Sequence, residues 1–172
     1  MNKKDQNSEN GGLQVSHAHL APLMKIRQIV RFAQRHSAAI ERRCGVNGGQ
    51  LWLMTEIAES PGMRIGDLAK RLAAHQTTVS NLTDELLKKE LVVKTSDERD
   101  RRASVLTLTP KGIKVLSKAP TPTRGVLPEA LSQLDKKTII ELDRALKKLI
   151  STMEGIDEEF GLQLLPFNLS AK

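Results

Sequence analysis

Five short polar residues, Gln76, Thr77, Thr78, Ser80 and Asn81, crowd the beginning of one helical segment. Their amides and hydroxyls both donate and accept hydrogen bonds. None is paired with a base that would make it a nucleophile. The chemistry open to them is recognition. An Asn or Gln amide matches the donor and acceptor edge of adenine, and hydroxyls can hold phosphates or touch thymine methyls. Further along stand Lys94, Arg99, Arg101 and Arg102, with Asp100 among them. Cations grouped this way suit a polyanion, because each phosphate contact releases a counterion.

Catalytic patterns are missing. The chain has no GxSxG, GxxxxGK[ST], HExxH or CxxC, the signatures of common nucleophile, nucleotide and metal sites. Adjacent carboxylates such as Asp84 and Glu85 read as a solvated helix surface. No metal site is expected either. His36 and Cys44 are eight residues apart, about 12 Å along a helix, and His17 and His19 lie in a polar N-terminal arm. The expectation is a protein without enzymatic activity, cofactor or metal.

The elements that must position these residues run from Gly66 to Gly112. The order read from the sequence is a short helix, a turn, a longer helix, a strand, a charged hairpin tip, a second strand and a helix start. In the longer helix Val79, Leu82 and Leu86 keep the spacing of one buried face. Thr77, Ser80, Asn81 and Asp84 lie opposite. Leu91, Val92 and Val93 suit a strand, and Val105 to Thr109 a second. Between them SDERDRRA is too polar to bury. Such a helix pair with a basic hairpin is a winged helix-turn-helix. A helix fits the DNA major groove, and an arginine-bearing hairpin can reach the adjacent minor groove.

The segment resembles the MarR family (multiple antibiotic resistance regulators). The matching pieces are LAKRLAAHQTTVSNLTDELLKKELV for the helix pair, DERDRR for the wing and VLTLTPKG for the return strand and helix entry. The resemblance is dense from about Gly49 to Gly112 and looser on both sides. It implies that Arg102 is the minor-groove finger and that Asp100, the wing acid, pairs with it and aims it. Arg99, Arg101 and Lys94 then meet phosphates, with Lys70, Arg71, Lys88 and Lys89 as weaker phosphate candidates. It implies a homodimer held by interleaved terminal helices, double-stranded DNA as partner, and a small-molecule effector bound where the dimer helices meet the winged lobes. Which residues line that pocket is unknown from the sequence. Some relatives sense oxidants through a cysteine near the beginning of the first helix. Cys44 is at the end of its helix, beside Arg42 and Arg43, which could lower its pKa. It reads as a helix-end thiol without a signalling role. At the capping position before the longer helix the family more often has Ser or Thr. Here it is His75, a poor cap, which leaves the helix start open by a residue or two.

Composition agrees with a mainly α protein carrying a small β-wing. Aromatic residues make up 2% of the 172, with no tyrosine, and the single cysteine excludes an internal disulfide. The net charge is +7. Residues 61–114 carry eleven basic against seven acidic side chains, residues 19–44 six against one, and residues 154–172 one against four. Positive charge therefore gathers on the reading module and the helix before it. With no long apolar run and no apolar N-terminal core, neither a membrane span nor a signal peptide is expected, and a cytoplasmic location is.

The expected organisation is a disordered arm over 1–18, dimerisation helices over 19–48 and 115–168, and the DNA-binding domain over 49–114. Leu23, Ile26, Val30, Ala33 and Ile40 mark the buried side of a first helix from Leu20 to Arg43. Gly45, Gly48 and Gly49 are expected to end it in a turn, with a second helix from Gln50 to Glu59. Met63 and Arg64 would form a minimal third strand. Pro120 and Pro122 should interrupt the chain at 119–124. A final helix from Asp135 to Met153 shows Ile139, Leu142, Leu146, Leu149 and Met153 on one side. The apolar tail with Phe160, Leu162, Leu164, Leu165 and Phe167 is expected to pack on a partner subunit. A different reading is a winged-helix module for protein assembly or for coating DNA without sequence preference. A coat would carry Lys and Arg on its reading helix, which Gln76 to Asp84 does not.

Overall fold

The computed structural model describes residues 18–96 and 104–164. The expected N-terminal arm, the hairpin tip with Arg99, Asp100, Arg101 and Arg102, and the tail past Leu164 lie outside the described residues.

Helix α1 spans Leu20–Cys44. Gly45 ends it in the left-handed region at φ 66, and its N–H returns to Glu41 O at 2.9 Å, a conformation that costs glycine no Cβ clash. Helix α2 spans Gly48–Glu59, two residues earlier than expected. Asn47 explains the early start. Its side chain accepts from Gln50 N at 2.8 Å while Gln50 Oε1 accepts from Asn47 N at 3.1 Å. This reciprocal capping box satisfies two otherwise free donors and outweighs the poor helix propensity of two glycines.

Strand β1 (Met63–Arg64) leads into α3 (Ile65–Arg71). A turn with Ala73 at φ 48 joins it to α4, Gln76–Lys88. Strands β2 (Val92–Ser96) and β3 (Ser104–Leu108) follow. They pair antiparallel from Val92↔Leu108 to Ser96↔Ser104, and β1 adds to the other side of β3, giving the order β1-β3-β2.

Thr109 caps α5 (Pro110–Leu116) by accepting from Gly112 N at 2.9 Å, and its hydroxyl donates to Glu90 O at 2.8 Å. Gly112 has a second reason to be glycine. A Cβ there would stand 2.1 Å from Leu91 O. The proline-containing segment ends α5, as expected, and the chain resumes in α6, Val126–Ser132. Asp135 then caps α7 (Lys136–Ile150), accepting from the N–H groups of Lys137 and Thr138. A 3-10 turn, Glu158–Leu162, completes the described chain.

The core belongs to the winged lobe. Ile40, Leu51, Leu53, Met54, Ile57, Leu68, Leu72, Val79, Leu86 and Leu106 are each about fully buried. Val79 and Leu86 are thus on the predicted inner face of α4, joined by Thr83, whose hydroxyl donates to Val79 O at 2.7 Å. The outer helices behave differently. In α1 only Ala33, Ser37 and Ile40 are buried, while Ile26 and Val30 are exposed. No residue of α7 is buried. None of the described helices is long and apolar enough to cross a membrane.

Candidate nucleic-acid interface

The helix pair α3–α4 shows its polar side outward. Gln76, Thr77 and Asn81 are exposed, and Thr78 and Ser80 are half-buried. Asp84 continues the same exposed row. The side chains able to read an edge therefore share one accessible face, with Val79 anchoring the helix from behind. Lys94 is exposed on β2 and pairs across the sheet with Leu106. Its strand leads directly to the hairpin tip.

Helix α4 starts at Gln76, after His75 in an extended conformation with no side-chain cap. The weak cap predicted from the histidine is real, but the start does not slip. The His75 N–H donates instead to the Leu162 carbonyl at 3.1 Å. The rear of α4 is tied to α2: Gln50 Nε2 donates to Glu85, and Lys89 Nζ donates to Gly45 O at 2.8 Å and to Gln50 Oε1 at 3.3 Å. These bonds hold a short helix at a set angle so that its polar face can act as a rigid template.

Two of the weaker phosphate candidates have structural partners. Lys89 is held as just described, and Arg71 pairs with Glu56 at 3.2 Å. Lys70 stands 3.7 Å from Asp67 in a largely exposed pair, worth little in water. Lys88 remains exposed at the end of α4.

Glu56 was not singled out by sequence reasoning, though a carboxylate inside the apolar run LWLMTEIA is itself a signal. Its side chain is 6% exposed and accepts from Trp52 Nε1 at 3.0 Å, Arg124 Nε at 2.7 Å and Arg71 at 3.2 Å. Arg124 also reaches Glu59. One carboxylate thereby joins α2, the end of α3 and the segment before α6. Burial alone would raise its pKa. The hydrogen bonds from Arg124, Trp52 and Arg71 and the charge of Arg124 outweigh that and hold it below the ordinary 4.5. A depressed carboxyl binds fewer protons folded than unfolded, so its stabilisation is present above pH 4.5 and lost as pH falls through the folded value. Glu56→Gln should remove this acid-side slope in urea unfolding and lower stability at pH 7 by about 1–2 kcal/mol. That figure is small because both guanidinium groups are more than a third exposed. An unchanged slope between pH 5 and pH 3 would show that Glu56 is not the titrating group.

Cys44 donates to Val115 O at 3.8 Å. Burial raises its pKa above 9.0 against the opposing charges of Arg43 and Lys118, so at neutral pH it is a thiol and a poor nucleophile. No group of three or more His, Cys, Asp or Glu among the described residues could hold a metal ion.

A cavity of about 380 Å³ lies between α1, α2, α6 and the tail. Ala33, His36 and Ile40 of α1, Trp52 of α2, Val126 of α6 and Leu164 of the tail are among its walls. His36 Nε2 lies 2.9 Å from Pro122 O. Helix α6 contributes to these walls and α5 does not. Leu164 of the tail packs half-buried against this chain's own core beside Gly49, while Phe160 and Leu162 are exposed.

The MarR family model matches residues 46–104. The HTH-type transcriptional regulator BilQ of Clostridium symbiosum is 29% identical over 111 residues, 64% of this chain and 77% of that protein. The HTH-type transcriptional repressor MdtR of Bacillus subtilis is 23% identical over 115 residues, 67% of this chain and 74% of that one. Among solved structures, the Staphylococcus aureus MepR–DNA complex superposes with a TM-score of 0.50 at 24% identity, covering 76% of this chain and 96% of that one.

Proposed function

We propose that this chain, whose residues 46–104 match the MarR family model, is a homodimeric repressor of that family. In this reading it binds a pseudo-palindromic operator and is released by a small molecule. The observation that carries the reading is the exposed hydrogen-bonding row of α4, Gln76, Thr77 and Asn81, on a helix braced from behind by Gln50 and Lys89. Gln76, Thr77, Thr78, Ser80 and Asn81 read bases and hold phosphates in the major groove. Lys94, Arg99 and Arg101 hold phosphates, and Arg102, aimed by Asp100, enters the minor groove.

The outer helices support a two-fold dimer. Met24, Ile29 and Phe32 of α1 and Ile140, Leu146, Leu149 and Ile150 of α7 are exposed apolar side chains on one chain. An apolar surface this extended favours burial against a partner. The dimer has a physical purpose: two reading helices roughly 34 Å apart address two half-sites, and their base contacts add. The cavity supports the effector. Its volume falls within the usual range of small-molecule sites, about 300–1,000 Å³. It lies between the dimer helices and the winged lobe. A ligand that favours one lobe spacing would set the half-site distance wrong and weaken DNA binding.

Selection of bound genomic fragments followed by footprinting tests the reading. The expected result is one short, nearly palindromic protected site, released by a small organic acid. Protection spread over all sequences would favour the nonspecific coat. Within a confirmed site, Asn81→Ala should relax preference at one base pair per half-site by about 1–3 kcal/mol. Equal loss on random DNA would reassign Asn81 to the phosphates.

A further inference from the structure

The C-terminal strap, residues 156–164, touches two places at once. Gly161, Gln163 and Leu164 form part of the cavity wall. One residue away from them, the Leu162 carbonyl accepts the His75 N–H at the start of α4. Leu164 is seated at the start of α2. A Cβ placed on Gly49 would lie 3.3 Å from Leu164 Cδ1 and 3.5 Å from Leu82 Cδ1, so the same small gap joins the strap to the packing face of the reading helix.

We propose that this strap is the mechanical link between cavity and reading helix: a molecule in the cavity bears on Leu164 and thereby on the backbone bond that sets the start of α4. The proposal rests on the effector reading and adds its route, which runs within one subunit and not only through the distance between two lobes. Three features suit a displaceable strap. It reaches the lobe through the Leu164 side chain and the Leu162 carbonyl bond. Its side chains Phe160 and Leu162 are exposed. His75 has no side-chain cap to hold α4 in the strap's absence, and its Nε2 is buried without a partner among the described residues, a desolvation cost that opening this corner would relieve.

Two full-length variants attack the link from opposite sides. Leu164→Asp removes the apolar seat's occupant, and Gly49→Leu fills the seat. Trp52 is the only tryptophan and lines the cavity, so its emission reports binding of 1-anilinonaphthalene-8-sulfonate, an aromatic anion used as probe. Amide hydrogen exchange at His75 reports the clasp. We expect both variants to exchange the His75 amide at least tenfold faster than the parent chain, to bind the probe at least fivefold more weakly, and to show no further change in operator affinity at saturating probe. Unchanged His75 exchange in both variants, or operator release as complete as in the parent at saturation, would overturn the link. If the parent chain shows no operator at all, the proposed function falls, and the strap is still judged on the exchange and emission measurements.

Discussion

Arg102→Ala should weaken operator binding by about 2–6 kcal/mol, roughly thirtyfold to more than ten-thousandfold, with thermal unfolding unchanged. A good groove contact contributes about 1–3 kcal/mol, and a two-fold dimer makes each contact twice. The narrow minor groove concentrates negative potential, which favours an inserted guanidinium over a lysine at the same place. Arg102→Lys should therefore recover only part of the loss. Asp100→Ala should lose less than Arg102→Ala, since it disorders the finger without removing its charge. Fluorescence anisotropy over a salt series checks this. Equal affinity and equal salt slope for Arg102→Ala and the parent chain would remove Arg102 from the interface.

Gly112→Ala should destabilise the winged lobe by about 3 kcal/mol or more. Glycine to alanine inside a helix ordinarily stabilises by up to about 1 kcal/mol. Here the new methyl would stand 2.1 Å from Leu91 O, and that atom is backbone, already accepting from Thr109 N at 3.1 Å. Neither side can yield without breaking the junction between α4, β2 and α5. Overpacking of this kind typically costs about 1–3 kcal/mol, to which the lost helix-entry bonds add. Chemical denaturation of the two proteins measures it. A variant as stable as the parent would mean that α5 can pivot away from Leu91. The consequence reaches recognition, because β2 and β3 carry the wing.

Much of the fold was legible because the elements obey simple periods. Val79 and Leu86 mark the inner face of α4, Thr109 and Pro110 mark the entry to α5, and Asp135 caps α7, as their residue types require. What escaped depends on partners distant in sequence. Gly48 and Gly49 read as a turn until Asn47 and Gln50 are seen to bond reciprocally. Glu56 is held by Arg124, 68 residues away across a proline-containing segment, and no local pattern announces such a pair. Arg71 and Lys89 read as weaker phosphate candidates. One is paired with Glu56, and the other holds the carbonyl of Gly45. Of the proposed interface, the polar face of α4 follows from helical spacing alone. The cavity and the strap do not, since Leu164 meets Gly49 only after the seven helices among the described residues have been arranged.

The central claim is that two copies of this chain act on one duplex. Native mass measurement of the complex with its footprinted site tests it directly. The account predicts two chains per duplex, with shortening of the site to one half lowering affinity by several orders of magnitude. One chain per duplex, or equal affinity for the half-site, would contradict it.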